Sequence, residues 1–461
     1  MNYDVIICGS GIAGMYTALN VSSNLKIAII TNNKLESCNT YLAQGGITTV
    51  RGEKDKKSFI EDTLYAGGNK NNVETVKLVA EEADKNIKKL VSMGVPFNRD
   101  DHGNLLYTRE AAHSKRRILY SNDQTGKHIF LTLAEKMKEK KNITVYSEVE
   151  ILDLLVSNKK AVGIIGIDKK NKMLEFLGDK VVLATGGIGG LFKNSTNRRN
   201  LKGIGIALSK KHEIEISNIG AIQFHPTAFY DPQSERRFLI SESLRGEGAK
   251  LRDLEGNRFV DELLPRDVVA ASIEAKKKEI GSPYVYLDAT KLKEDYLKIR
   301  FKGIYENLLE KGYDLAKDMI PVTTSQHYFM GGIAVNMDGK TSLEGLYACG
   351  EIAFTGLHGR NRLASNSLLE GLVFGNRVAI SINREIENVN EELLPSYRTP
   401  PSIDEYEKMN FSKNKFFDVI KRENKRESSI DIEKIKEENR RIVIDEILKV
   451  REDLKDELSV D

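Results

Sequence analysis

The feature that most narrows what this chain can become lies at its start. Val5-Ile6-Ile7-Cys8 is an apolar run that breaks into Gly9-Ser10-Gly11-Ile12-Ala13-Gly14, and from Ala13 to Asn20 the pattern is helical. Strand, Gly-x-Gly-x-x-Gly turn and helix together make the phosphate-binding opening of a βαβ unit. The first glycine makes the turn, the second admits a pyrophosphate, and the third lets helix pack on strand. The anion then meets unpaired N–H groups at the helix start. Lys26-Ile27-Ala28-Ile29-Ile30 reads as the next strand. The acid expected after it, to hold a ribose diol, is missing: Thr31, Asn32, Asn33 and Lys34 stand there instead. The ribose must be held differently, and this motif leaves NAD and FAD both open.

Two further strands end in glycine. Lys180-Val181-Val182-Leu183-Ala184 runs into Thr185-Gly186-Gly187, and Leu346-Tyr347-Ala348-Cys349 into Gly350-Glu351. A dinucleotide crossing a sheet edge needs such exits. The loop 36–50 closes on Ala43-Gln44-Gly45-Gly46, which suits backbone beside a ligand and an ordinary turn equally well. Val73, Val76, Ala80, Ala83, Ile87 and Leu90 mark an amphipathic helix that Gly94 and Pro96 end. A later helix opens near Ala364-Ser365-Asn366-Ser367, whose polar residues suit an N-cap. On its residues alone, Arg109–Leu119 is a basic helix surface as readily as not.

The middle of the chain concentrates cationic side chains in turn-forming settings. Gln223-Phe224-His225-Pro226-Thr227 is followed by Ser241-Glu242-Ser243-Leu244-Arg245-Gly246 and Pro265-Arg266-Asp267, then by His327 and by Arg362 among glycines. Taken singly, each arginine is explained by a surface ion pair. Gathered around one cavity, they suit a small molecule with two carboxylates. Gln223 and His225, two apart on a strand, would face the same side.

At 461 residues the chain exceeds one compact core. Residues 1–218 and 329–398 read as one discontinuous nucleotide domain and 219–328 as an insertion. Residues 399–461, after the Thr399-Pro400-Pro401 linker, read as a helical tail with Ile432, Ile435, Ile442, Ile447, Leu448 and Leu454 at helical spacing. A net charge of +3 is too small for a nucleic-acid footprint. Cys8, Cys38 and Cys349 have no metal-ligand spacing, so no metal is expected and a reducing, cytoplasmic setting fits. No apolar run is long enough to span a bilayer, and because the chain enters its first strand directly no leader peptide is expected.

These phrases resemble the flavoprotein family of succinate dehydrogenase, fumarate reductase and L-aspartate oxidase, over roughly residues 3–380. Gln-Phe-His-Pro-Thr-Ala-Phe-Tyr at 223–230, Thr-Gly-Leu-His-Gly at 355–359, Asn-Arg-Leu-Ala-Ser-Asn-Ser-Leu-Leu-Glu at 361–370 and the Arg109–Leu119 stretch carry the resemblance, and draw it toward the oxidase branch. It implies an α/β fold: a Rossmann-like FAD-binding domain, an inserted α+β capping domain and a small C-terminal helical domain. It implies FAD-dependent oxidation of L-aspartate in the quinolinate route to NAD, with O2 or fumarate as oxidant and possible coupling to quinolinate synthase. A soluble fumarate reductase is the alternative, and a non-catalytic flavin subunit a rival of another class.

For the site, the resemblance implies Arg266 as proton carrier and His225, His327, Arg362 and Ser241 as carboxylate ligands. Glu110 falls near the substrate amine, Gln223, Glu242 and Arg245 join Ser241 as substrate-binding residues, and Glu242 orders the cationic groups. The cofactor would touch Gly9, Ser10, Gly11, Ala13 and Gly14, then Thr31, Asn32 and Lys34. It would also meet Asn39, Thr40, Ala43, Gln44, Gly45 and Gly46. Val149, Ala184, Thr185, Gly186 and Gly187, and finally Gly350, Glu351, Asn366, Ser367 and Leu368, complete the set. Asn39 stands where the membrane-bound enzymes carry a flavin-linking histidine, so the FAD should be non-covalent. Two departures are noted: Ser241-Glu242 replaces the usual Thr-Glu, and the tail is shorter than usual.

Overall fold

The computed structural model describes residues 1–392 and 432–459. Its central sheet has seven strands. Ile143–Tyr146, Ile27–Ile30, Asn2–Cys8 and Met173–Leu183 pair in parallel in that order, and Leu346–Ala348 adds in parallel beyond Val181–Leu183. The hairpin Val149–Ser157 and Lys160–Asp168 extends the sheet antiparallel from Met173–Leu177.

The apolar runs at the start of the chain are apolar throughout because both faces are covered. Val5, Ile7, Ile27 and Ile29 point into one core, with the helices Ile12–Asn20, Val73–Ser92, Thr125–Lys138 and Asn366–Glu392. Ile6, Cys8, Ala28 and Ile30 point into the other, with the helices Ile204–Lys211 and Ile432–Leu448. The period of two thus sorts one strand's residues between two layers. All three cysteines are buried and free, and burial pushes the Cys8 and Cys349 thiols up to about 12.

A four-stranded antiparallel sheet, ordered Ile222–Phe229, Ile320–Phe329, Val285–Asp288, Lys250–Arg252, has its own core around Leu251, Val269, Leu287 and Val322. The helix Arg266–Ile280 packs against its first strand. The strand Ile222–Phe229 slips register between Gln223 and Phe224 and again between His225 and Ala228. Such bulges re-aim side chains.

The Arg109–Leu119 stretch is not a helix surface. Ile118–Leu119 is a short strand, and the wholly buried Arg117 donates to Asp55 at 2.9 Å and to Asp62. Three basic residues in a row looked solvated, and the two acids that bury one of them lie more than fifty residues away in sequence. The expected tail begins in residues 399–431, outside the described residues; its later part is the helix Ile432–Leu448, which buries Val443, Ile444 and Ile447. Among the described residues, no helix is long and apolar enough to cross a membrane.

Candidate active site

The glycine-rich strand exits converge on one cavity of about 690 Å³. A Cβ on Gly9 would meet the Ala184 carbonyl oxygen at 2.0 Å, and one on Gly14 the Gly9 carbonyl oxygen at 2.2 Å. Those two glycines serve close backbone packing. A Cβ on Gly11 would meet only Thr40 Oγ1, at 3.4 Å, so Gly11 faces open space. The helix behind it starts without an acidic residue in its first turn, which leaves its positive end available to an anion.

Ser10, Ala13, Thr31, Asn32, Asn39, Thr40, Ala43 and Gln44 line this cavity, as do Ala184, Thr185, Gly186, Gly350, Glu351, Ser367 and Leu368. Thr40 Oγ1 accepts from the Ile12 N–H at 3.0 Å, and Asn32 Oδ1 accepts from Asn200 at 2.8 Å. Asn39 donates to Asn197 and accepts from the Arg198 N–H at 3.2 Å. Gln44 Oε1 and Thr185 Oγ1 are buried without a hydrogen-bond partner among the described residues. Buried polar atoms are rarely left so unless a ligand pairs them.

Seven of the expected contacts do not reach the cavity wall. Gly14 packs beneath the helix, and Lys34 is exposed. Gly45 abuts Glu110, Gly46 abuts the strand Ile118–Leu119, and Gly187 abuts the Glu351 carboxyl. Val149 is buried, with its neighbours Glu150 and Ile151 lining instead. Asn366 is buried and donates to Thr63 Oγ1 at 3.2 Å.

At one end of the cavity stand His327 and Arg362, and behind them the rest of the cationic set. His225 and His327 lie on neighbouring antiparallel strands with ring centres 5.0 Å apart. His225 Nδ1 accepts from the Thr227 N–H at 3.1 Å, so the ring proton is on Nε2. That Nε2 has no hydrogen-bond partner among the described residues and lies 4.0 Å from Glu242 Oε2. His327 Nδ1 pairs with Thr196 Oγ1 at 2.8 Å. Arg266, first residue of its helix, donates to Glu242 and, through Nη1, to Gln223 Oε1 at 3.0 Å. Gln223 Nε2 in turn donates to Asn361 Oδ1 at 2.7 Å and to the Arg362 carbonyl at 2.8 Å.

Arg245 Nη1 donates to the Glu262 carbonyl at 2.6 Å, and its Nη2 lies 3.5 Å from Glu242. Arg362 lies over the Tyr328 ring at 4.4 Å and donates to Ser367 Oγ at 3.1 Å. Ser241 caps a short helix by accepting from the Ser243 N–H at 3.2 Å, which leaves its own proton to donate. Glu110 sits buried behind the cage, accepting from Ser243 Oγ at 2.8 Å and Ser365 Oγ at 2.6 Å.

Burial, followed by Arg266 nearby, holds both imidazoles well below their ordinary value. The two histidines are therefore neutral, and the positive charge rests on Arg245, Arg266 and Arg362. Burial also lowers Arg362, to about 10. Burial alone would raise Glu242, but Arg266 and Arg245 outweigh it and keep the carboxyl ionised. Glu351 is pushed up to about 7 by burial. Arg245 and Arg266 lie against Glu242 and Arg362 adds to their field, so this buried cluster favours an anion beside it.

Thr196, Thr227, Asn361 and Tyr328 position these groups and were not singled out from the sequence. Thr227 and Asn361 lie inside the quoted phrases, but nothing in a hydroxyl or an amide announces which ring or carbonyl it will meet.

Fold and site together define a flavoprotein of the FAD-binding class: the FAD binding domain family matches residues 4–368. The L-aspartate oxidase of Clostridium acetobutylicum is 50% identical over 384 residues, 83% of this chain and 88% of that one. The L-aspartate oxidase of Clostridium perfringens is 45% identical over 99% of this chain and 96% of its own length. A quinol fumarate reductase of E. coli superposes with a TM-score of 0.81 at 26% identity, covering 92% of this chain and 74% of that one. Mycobacterium smegmatis Sdh1 gives 0.73 at 31% identity, covering 88% and 72%. The chain belongs to the L-aspartate oxidase family of FAD-dependent flavoproteins.

Proposed function

We propose that this protein oxidises L-aspartate to iminoaspartate, the first step of the quinolinate route to NAD, with O2 reduced to H2O2 or fumarate to succinate. The observation that carries this reading is the pair His327 and Arg362 on the wall of the dinucleotide cavity, backed by the buried His225, Arg245 and Arg266. The family's cofactor is FAD. Gly11, the helix start behind it with no acid in its first turn, and Gln44 Oε1 and Thr185 Oγ1, unpaired among the described residues, fit a flavin dinucleotide. FAD would supply the two-electron acceptor for the hydride on the substrate's α-carbon.

The chain's own residues do the rest. His225 Nε2–H, His327, Arg362 and Ser241 bind the two carboxylates and fix the α-carbon in place. Charge-assisted hydrogen bonds of this kind contribute about 1.5–3 kcal/mol each. Arg266, held by Glu242 and Gln223, moves the proton. Glu110 offsets the ammonium of the amino acid, which a purely cationic cage would repel. The helix from Asn366, with no acid in its first turn, directs its positive end toward the flavin.

Residues 1–218 and 329–398 form the FAD-binding domain in this reading, 219–328 the cap and 399–461 the helical tail. The protein works in the cytoplasm and passes iminoaspartate to quinolinate synthase. The likeness to fumarate reductase favours a second reading, reduction of fumarate alone. Steady-state assays separate the two: peroxide formation dependent on L-aspartate supports the oxidase, whereas fumarate turnover without aspartate turnover supports the reductase.

A further inference from the structure

The helix Ile432–Leu448 lies beyond the residues 4–368 that match the FAD binding domain family, yet it walls the same cavity as Gly9, Gly11 and Thr31. Its residues divide by face. Val443, Ile444 and Ile447 enter the core beneath Ile6 and Ala28. Glu433, Lys436, Glu437 and Arg440, spaced i, i+3, i+4 and i+7, line the cavity.

The place of this wall along the cavity follows from its neighbours. Lys436 Nζ is 3.0 Å from Glu150, which also lines the cavity. Glu150 follows Val149, whose N–H donates to the Thr31 carbonyl at 3.0 Å. Thr31 directly follows the second strand of the βαβ unit, Ile27–Ile30, and that strand end is where a bound dinucleotide places its adenosine. The strand lacks the acid that would hold the ribose there, and Thr31-Asn32-Asn33-Lys34 offers no substitute carboxylate.

Asn439 supplies the second observation. It lines the cavity and is 5% exposed. Its Nδ2 donates to the Leu152 carbonyl at 3.1 Å, which fixes the amide orientation. Its Oδ1 is buried with no hydrogen-bond partner among the described residues. A buried acceptor of this kind is satisfied when a ligand brings the donor.

We propose that the helix Ile432–Leu448 is the adenosine-binding wall of the cofactor site. Asn439 Oδ1 accepts from an N–H or O–H of the adenosine moiety, and the Glu433–Arg440 face closes over it in place of the missing acid. This rests on the FAD reading above and assigns one end of that cofactor to residues outside the matched span.

The test uses the full chain stripped of flavin. FAD and FMN are titrated separately and binding is followed by flavin fluorescence, in the wild type, in Asn439→Leu and in Lys436→Ala/Glu437→Ala. The double variant leaves the core stripe of the helix intact, so it remains informative if Asn439→Leu fails to fold. Loss of one such hydrogen bond should weaken FAD about tenfold while FMN, which lacks adenosine, is unchanged. ADP should compete with FAD in the wild type and less well in the variants. Equal losses on FAD and FMN, or unchanged FAD affinity in both variants, overturn the assignment while leaving FAD as the cofactor. A wild-type chain that binds no FAD overturns the cofactor reading and this assignment with it.

Discussion

His225 and His327 meet edge to face, ring centres 5.0 Å apart, across two neighbouring antiparallel strands, and both are held neutral. Burial does most of this, and Arg266 adds to it. A histidine of ordinary pKa would lose its charge between pH 6 and 7.5, at about 6.5, and a cage that relied on that charge would lose dicarboxylate affinity with it. Here the lowered pKa means no charge is present to lose over that range. Glu351 on the same wall is pushed up to about 7, so the test uses Glu351→Gln: in that variant succinate affinity, measured by flavin spectral titration, should be flat from pH 6 to 8. A steady weakening across that window would show that the imidazoles bind as cations.

Arg266 is bound to Glu242 and Gln223 in a buried cluster, and Arg245 Nη2 lies 3.5 Å from the same Glu242. Removing Arg266 therefore does not leave Glu242 without a counter-charge, so the protein should still fold and hold FAD. Arg266→Leu should reduce aspartate oxidation and fumarate reduction alike, by about 10²–10⁴-fold, the usual cost of losing a proton-transfer group. Normal fumarate reduction by the variant would make Arg266 a bystander.

Glu110 reaches the site indirectly. Both of its oxygens accept from serines, Ser243 in the short helix Glu242–Gly246 and Ser365 just before the helix that opens at Asn366. Glu110→Gln keeps the shape and removes the charge. The kcat/KM for L-aspartate should fall about tenfold or more relative to that for fumarate, since an opposite charge nearby is worth on the order of a pKa unit or more. Equal losses on both substrates would place amino-acid selectivity elsewhere.

Asn39 faces the cavity and carries no ring nitrogen that could bond the flavin; its amide is engaged with Asn197 and Arg198. Acid denaturation should release all the yellow colour into the supernatant. Colour that stays in the washed pellet would mean a covalent attachment at some other residue.

How much was legible in the sequence depended on whether a signal was local. The strand–glycine–helix opening could be read because each glycine answers a local demand: Gly9 and Gly14 cannot carry a Cβ where they stand. The alternation within Val5–Cys8 was hidden, since both faces are buried and every residue is apolar. The cationic set could be recognised as a set because turn residues flank each member. Its charge state could not, because neutral imidazoles follow from burial and from Arg266, which lies 41 residues from His225 in the chain. Glu110, Ser243 and Ser365 all lie in quoted phrases, but nothing local announced that serines 133 and 255 residues away would hold the carboxylate. The helix Ile432–Leu448 read only as a tail, since an amphipathic pattern does not say which cavity its polar face will line.

The central claim is that aspartate gives up electrons to a flavin held beside the Arg245–Arg266–Arg362 cage. The most direct test is the absorbance spectrum of the FAD-loaded protein without oxygen. Addition of L-aspartate should bleach the flavin bands, and fumarate added afterwards should restore them. A spectrum that stays oxidised with aspartate, in a protein that bleaches with dithionite and recovers with fumarate, would contradict the account and leave a fumarate reductase.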